Sequence, residues 1–272
     1  MKTNISDSNW FELNFVPGLT AVAGASPIQI PGLPSDDIQL RFTGRTSRQN
    51  LEQAFEFYTF VLSKIPAPNA VVDFGGGWGR ILRFFLREVD PKKLYLVDCL
   101  TDAIEAARAT NPPFNIIQTL PGQMCPLPDN SIDLVYAFSV FSHLSESFSR
   151  ENLKDFSRML KPGGVVAFTT RGQQHINYLR QIMVGPDADK SNHVLQAVQT
   201  LPNLDLIEKK IKAGEYQFFP SSGGGELSSS FYGETWIGEK WIKNNYKKLG
   251  FSGYEMFPEK GTIDQVTFLL HK

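Results

Sequence analysis

Apolar positions along the chain change period several times, and each change marks an element. Leu51, Phe55, Tyr58 and Leu62 recur at helical spacing and predict a helix from Ser47 to Ile65, stopped by Pro66 and Pro68. The run Ala70-Val71-Val72-Asp73-Phe74 reads as a short buried strand leading straight into Gly75-Gly76-Gly77-Trp78-Gly79. A helix with Ile81, Leu82, Phe85 and Leu86 on one face is expected next. Leu94–Asp98 reads as a second strand, Asp102–Thr110 as a helix, Asn115–Thr119 as a third strand and Ile132–Phe138 as a fourth. Glu146–Leu160 is a predicted helix that ends at Lys161-Pro162-Gly163-Gly164 and feeds a fifth strand, Val165–Thr170. Strands alternating with helices at this spacing imply crossover units on a parallel sheet.

The flanks are less regular. Residues 1 to about 45 are rich in Pro, Gly and Ser and read as an irregular arm. After Arg171 the alternation lapses, with candidate helices near 174–184 and 190–200 and a soft segment, Ser221-Ser222-Gly223-Gly224-Gly225. It resumes with a helix over 238–249 and strands over 251–257 and 264–270, too close together for anything but antiparallel pairing. The implied division is an N-terminal arm and capping helix (1–66), an alternating strand–helix core (67–171), an insertion (172–237) and a C-terminal helix and strand pair (238–272).

Composition narrows the function. Of 272 residues 42% are apolar, and 27 basic against 28 acidic side chains leave a net charge of −1, without the basic excess that phosphate contacts demand. Two cysteines, Cys99 and Cys125, make no disulfide framework, and no Cys/His cluster has metal-ligand spacing, so no metal is expected. No apolar run approaches 18 residues, and prolines break the N-terminal stretch. The expectation is a soluble cytoplasmic protein with neither nucleic-acid nor membrane partners; oligomeric state has no sequence handle.

A strand, a glycine-rich turn and a helix form a seat for a nucleotide-like ligand, because glycines let the backbone approach it and helix N–H groups face it. The spacing is G-x-G-x-G, not the dinucleotide pattern G-x-G-x-x-G, since Ile81 follows Arg80. Asp98, at the end of the second strand, suits both hydroxyls of a ribose; the alternative is a carboxylate that faces water.

Together D-F-G-G-G-W-G-R, the strand ending in Asp98, P-L-P-D-N-S-I-D-L-V-Y and L-K-P-G-G resemble the class I S-adenosylmethionine-dependent methyltransferases, in a G-W-G-R variant, over roughly residues 68–171. The resemblance implies a doubly wound, seven-stranded, mostly parallel Rossmann-like α/β sheet of order 3-2-1-4-5-7-6, the last strand antiparallel, with helices on both faces. It implies S-adenosylmethionine as cofactor. Asp73 would orient the methionine amino group, Gly75 and Gly77 would pass under the ligand, and Asp98 would take the ribose. Cys99 or Leu100 would pack on the adenine, Gln123 and Met124 lie near its edge where an Asp is common, and Phe138 and Ser139 would line the methionine end. Arg80 would pair with the cofactor carboxylate or cap against Asp73. Gly76 stands where many relatives carry Cys, an exchange expected to be silent.

Methyl transfer to a hydroxyl needs a base. His143, after the fourth strand, is the leading candidate, against the alternative that it packs to hold the next helix; His175 is second, and His193 and His271 read as surface. Arg171, Tyr232 and Glu234 are further candidates, the latter two after a segment suited to a lid or an ordered loop. Phe218, Phe219, Phe231 and Trp236 suit an acceptor pocket or a local core, and Arg41, Phe42 and Tyr58 suit a cap over the cofactor. The leading function is methyl transfer to a small-molecule acceptor, at an oxygen of a sugar or other hydroxylated metabolite. N- or C-methylation, a non-catalytic cofactor binder and, remotely, a nicotinamide-dependent oxidoreductase are the alternatives.

Overall fold

The central apolar runs that read as strands are buried on both faces, which is what a parallel sheet covered by helices requires. Val71, Val72, Leu94, Leu96, Val97, Leu134 and Val135 are all fully buried. The computed structural model describes residues 5–20, 27–65, 67–184, 201 and 203–272. Its main sheet has seven strands: β3 (Val71–Phe74), β4 (Leu94–Asp98), β5 (Asn115–Gln118), β6 (Ile132–Ala137), β7 (Leu160–Thr170), β10 (Gly253–Phe257) and β11 (Val266–His271). Their order, β5-β4-β3-β6-β7-β11-β10, is the 3-2-1-4-5-7-6 order expected. β3 runs parallel to β4 and β6, β4 parallel to β5, and β10 pairs antiparallel with β11. Two short pairs stand apart from it, β1 (Gly18–Thr20) with β2 (Ile28–Ile30), and β8 (Tyr216–Pro220) with β9 (Gly233–Ile237). Helices α1 (Asp7–Leu13), α2 (Asp36–Thr43), α3 (Ser47–Lys64), α4 (Thr101–Ala109), α5 (Glu146–Met159), α6 (Gln173–Val184), α7 (Leu204–Lys212) and α8 (Glu239–Asn245) complete the regular structure.

Contacts divide the chain into one unit of Met1–Tyr136 with Met159–Val165 and a second of Ala137–Arg158 with Val166–Lys272. In the first unit two sequence-based expectations change. The arm before residue 45 is not irregular: it carries α1, α2 and the β1/β2 pair. Its order comes from long-range docking that periodicity does not reveal. Trp10 is fully buried and its Nε1 donates to the Phe84 carbonyl at 2.9 Å, while Phe11 packs against Phe55 and Phe84. Arg83 reaches the same arm, donating to Asn14, Pro31 and Gly32. Secondly, the helix expected after the glycine turn is a 3₁₀ segment, Leu82–Arg87. All six of its residues are buried, so it has no solvent stripe to set an α-helical face, and short 3₁₀ pieces serve as such connectors.

Two motifs that carry the family resemblance turn out to hold this unit together. Asp133 accepts from the backbone N–H groups of Asn69 and Ala70, and Lys161 donates to its other oxygen at 2.8 Å. Lys161–Gly164 lies inside β7, which begins at Leu160 rather than at Val165, and a Cβ at Gly164 would lie 2.9 Å from the Lys161 carbonyl oxygen.

The second unit contains the former insertion. Ile176 and Leu179 of α6, Leu204 and Ile207 of α7 and Trp236 of β9 form one buried cluster, with Phe219 packed against it. Phe231 stacks on Phe148 at 4.5 Å, so these aromatics serve a local core, while Phe218 is half-buried. The Gly/Ser segment is a closed loop between β8 and β9, with Ser221 N donating to Tyr232 O and Gly223 N to Leu227 O. The helix expected over 238–249 is α8 followed by a 3₁₀ turn, Tyr246–Leu249. The helix expected near 190–200 and His193 lie outside the described residues, and His271 is part-exposed and faces Glu255.

Candidate cofactor crevice and histidine cluster

The end of β3 places the first candidate carboxylate. Asp73 is buried, paired in register with Leu96 on one side and Tyr136 on the other. Its Oδ2 and the Tyr136 hydroxyl make no hydrogen bond of standard geometry, although the hydroxyl lies close enough to favour the ionised carboxylate. Burial pushes the Asp73 pKa up to about 7, and the charge of Asp98 adds to this; Tyr136, Arg80 and the Leu82 N–H act in the opposite direction. A carboxylate held dry with one oxygen unpaired is a group in want of a cation or donor.

The glycine turn wraps this carboxylate closely on one side and leaves space on the other. Gly75 N donates to Val97 O at 2.7 Å, and Gly75 and Gly77 take positive φ of 69° and 57°. A Cβ at Gly77 would meet nothing within 4 Å. Gly76 differs. A Cβ there would lie 2.8 Å from Asp73 Cγ, 2.9 Å from its Oδ2 and 3.0 Å from Leu96 Cγ. The expectation that cysteine is silent here is therefore overturned. Gly76→Cys is expected to destabilise the protein by about 1–3 kcal/mol, as overpacking does, and to weaken cofactor binding through Asp73. Denaturant unfolding checks the first effect and calorimetry the second; a variant equal to wild type in both would refute the packing argument.

Asp98 ends β4 nearly buried. Its Oδ2 accepts from Gly77 N and its Oδ1 from Leu100 N, both at 2.9 Å, which fixes the carboxylate. Cys99 beside it is half-buried. Gln123 turns its Oε1 to the Leu120 N–H, whereas the Met124 and Leu120 side chains are exposed. Arg80 is buried and donates to the Asn50 backbone and side-chain oxygens at 3.2 and 3.3 Å, and Asn50 in turn donates to Gln39. Of the two roles left open for Arg80, its charge does act on Asp73. Of the expected cap, Tyr58 is wrongly placed: it is fully buried and its hydroxyl donates to Glu88 at 2.6 Å. Arg41 pairs with Asp102 at the start of α4 and covers the Phe42 ring at 5.0 Å.

These residues fit S-adenosylmethionine. Asp98 offers acceptors to a ribose diol, Asp73 an unpaired buried oxygen to an ammonium, and Gly77 a clear approach to the backbone. When bound, this cofactor supplies an electrophilic methyl group on a sulfonium.

In the second unit, all four candidate catalytic residues come together although they span some 90 positions. Gly233 N donates to His143 O, so the start of β9 runs beside residues 142–144, and alternation along the strand turns Tyr232 and Glu234 the same way. The His143 and Tyr232 rings stack at 4.8 Å, 4° from parallel. Glu234 forms an ion pair with Arg171, and its Oε1 lies 4.0 Å from His143 Nδ1. His143 Nδ1 lies 2.9 Å from the Gly233 carbonyl oxygen. A carbonyl only accepts, so Nδ1 carries the proton and Nε2 the lone pair. Burial first and the charge of Arg171 second lower the His143 pKa to about 3. His175 is lowered by the same causes, and its Nδ1 is enclosed without a hydrogen-bond partner.

The turn before His143 rests on Ser139 together with Thr169 and Gln265, two residues that sequence reasoning missed. Ser139 has a positive φ of 62°, unusual for serine, and its N–H donates to Thr169 Oγ1 at 2.7 Å. Gln265 joins the two, donating to Ser139 Oγ and accepting from Thr169 Oγ1, both at 2.8 Å. Gln265 comes 126 residues after Ser139, and no local pattern announces it. Phe138 is buried. Among the described residues no group of three His, Cys, Asp or Glu is placed to hold a metal ion.

The sheet order, the glycine turn beneath two carboxylates and the closing antiparallel pair define a class I S-adenosylmethionine-dependent methyltransferase fold. Residues 72–168 match the family model described as a methyltransferase domain. No curated protein matches the chain in sequence. Among solved structures, DesVI of Streptomyces venezuelae is similar at 13% identity and a TM-score of 0.53, over 86% of this chain and 96% of that one. The PH0226 protein of Pyrococcus horikoshii OT3 gives 14% and 0.54, over 85% and 94%. A SAM-dependent methyltransferase from Methanosarcina mazei gives 15% and 0.50, over 78% and 95%. At such identities the likeness is one of fold.

Proposed function

We propose that this chain transfers the methyl group of S-adenosylmethionine to a hydroxyl oxygen of a small molecule, with His143 taking the acceptor's proton. The observation that carries this reading is the tautomer of His143: Nδ1–H is engaged by the Gly233 carbonyl, which leaves Nε2 unprotonated. Asp73 would hold the methionyl ammonium and Asp98 the ribose, and Gly75 and Gly77 let the ligand lie against the turn. Nε2 would take the acceptor's hydroxyl proton, while bound S-adenosylmethionine would supply the methyl group, its carbon–sulfur bond breaking to leave S-adenosylhomocysteine. The near-zero net charge supports a small acceptor over a nucleic acid, and no described helix is long and apolar enough to cross a membrane, which is compatible with a cytoplasmic enzyme.

The test has two parts. S-adenosylhomocysteine should bind by calorimetry, and Asp98→Ala should weaken that binding at least about tenfold, the scale of one or two lost charge-assisted hydrogen bonds. Label from [methyl-³H]S-adenosylmethionine should appear in hydroxylated metabolites of an extract, and not with His143→Gln protein that still binds the cofactor. Unchanged affinity in the Asp98 variant refutes the ribose assignment. Cofactor binding without label transfer favours a non-catalytic binder instead.

A further inference from the structure

The histidine cluster contains more than a base needs. Arg171 and His175 pack on the same ring, Arg171 Cζ at 5.9 Å from the Trp236 centroid and His175 at 5.5 Å. Glu234 forms an ion pair with the guanidinium, yet neither the buried Arg171 Nη1 nor the enclosed Nδ1 of His175 makes a hydrogen bond of standard geometry. An enclosed ring nitrogen without a partner, beside a cation, suits one oxygen of an incoming anion. Glu234 meanwhile stands between two claims. Its Oε2 meets Arg171, and its Oε1 lies 4.0 Å from an Nδ1–H that is occupied by the neighbouring Gly233 carbonyl at 2.9 Å. A shift of about 1 Å would bring the Glu234 carboxylate into hydrogen-bond range of that N–H. The stacked Tyr232 ring confines the imidazole to its plane, so the carboxylate is the partner free to move.

From this geometry we infer that the acceptor carries a carboxylate, which binds Arg171 and His175 Nδ1–H, displaces Glu234 from Arg171 and so delivers Glu234 to His143. A carboxylate is favoured over a larger oxyanion because it replaces a carboxylate of the same shape and charge in a nearly enclosed place. The consequence rests on the proposed role of His143 as base. With Arg171 neutralised by the acceptor and Glu234 on Nδ1–H, the imidazolium formed at proton transfer is stabilised, which the resting arrangement does not do. The base becomes effective only when the acid-bearing acceptor is seated, so neutral alcohols that lack the carboxylate are poor acceptors.

The experiment needs no turnover. Acetate, with chloride at matched ionic strength as control, is titrated into ¹⁵N-histidine-labelled protein loaded with S-adenosylhomocysteine, and the imidazoles are followed by NMR. Among the described residues, the charged and titratable groups that face His143 are Arg171, Glu234, Tyr232 and His175. Acetate should shift the His143 and His175 resonances saturably and raise the pH at which His143 titrates by about one, the usual effect of an opposite charge at contact distance. In Arg171→Gln the saturable shift should vanish. In Glu234→Gln acetate should bind more tightly, having lost its competitor, and should move the His143 titration much less than in wild type. Equal effects of acetate and chloride on the wild-type protein overturn the proposal. So does a His143 shift in Glu234→Gln as large as in wild type, since acetate would then be acting directly. Loading with S-adenosylhomocysteine is checked separately, so failure here leaves the cofactor reading intact.

Discussion

Arg83→Ala is expected to destabilise the protein by about 3–5 kcal/mol, the scale set by opening a buried charged network. Arg83 is almost wholly enclosed, and burial alone lowers its pKa to about 9. Among the described residues no carboxylate pairs with it. Its charge is held instead by Asn14 Oδ1 and the backbone oxygens of Asn14, Pro31 and Gly32, with the Trp78 ring at 5.8 Å. One side chain thereby satisfies the backbone of the N-terminal arm where it crosses the 3₁₀ segment. Replacing a buried ion by a hydrophobe is often harmless when its partner is another ion that leaves with it. Here the partners are carbonyls that cannot leave, so Arg83→Met should lose most of the same stability despite filling the space. Arg83→Lys should fall between, because an ammonium lacks the planar fork that reaches the Asn14 and Pro31 carbonyls together. Denaturant unfolding of the three variants measures this. A methionine variant within 1 kcal/mol of wild type would show that the arm satisfies its carbonyls without the arginine.

That same contact explains what was and was not legible in the sequence. The strands around residues 71–74, 94–98 and 132–137 announce themselves, because a parallel sheet covered on both faces demands unbroken apolar runs. Asp73, Asp98 and the glycines between them lie on one short stretch, so spacing alone proposes the crevice. The arm at 1–45 was read as irregular because its order is supplied by Trp10, Phe11 and Arg83 across gaps of up to 74 positions. Tyr136 and Gln265 were missed for a related reason: the first faces Asp73 only once β3 and β6 are in register, and the second meets Ser139 only at the far end of the chain. Gly76 was misjudged because a glycine is silent in sequence about what crowds it. His143, Arg171, Tyr232 and Glu234 were each named on position, yet the Arg171–Glu234–His143 chain and the unpaired His175 Nδ1 belong to the three-dimensional arrangement alone.

S-adenosylhomocysteine should bind the wild-type protein about tenfold more tightly at pH 8 than at pH 6. The cause is Asp73, whose folded pKa of about 7 stands well above its ordinary value of 3.8 because the group is dry and near Asp98. Below pH 7 the free protein holds a neutral carboxylic acid, which offers the ligand's ammonium a dipole and no charge. Binding favours the carboxylate, so it must expel a proton at acid pH, and affinity climbs as the pH rises through about 7 and then levels. For the free protein the sign is reversed. An acid whose pKa is raised on folding contributes stability below its unfolded pKa, and that contribution is lost as the pH rises from about 4 to about 7. Asp73→Asn keeps any titration of the ligand itself and removes that of the carboxyl. It should therefore flatten the pH dependence of affinity, and at pH 8 bind the ligand about 10–100-fold more weakly than wild type, the range for a lost buried charge-assisted bond. Calorimetry at pH 6, 7 and 8 in buffers of different ionisation enthalpy checks both, since proton release makes the apparent enthalpy depend on the buffer at pH 7. An affinity that is equal at pH 6 and 8 in the wild type, with no buffer dependence, would show that the Asp73 carboxylate is ionised before the ligand arrives and that its unpaired oxygen already has a counter-charge.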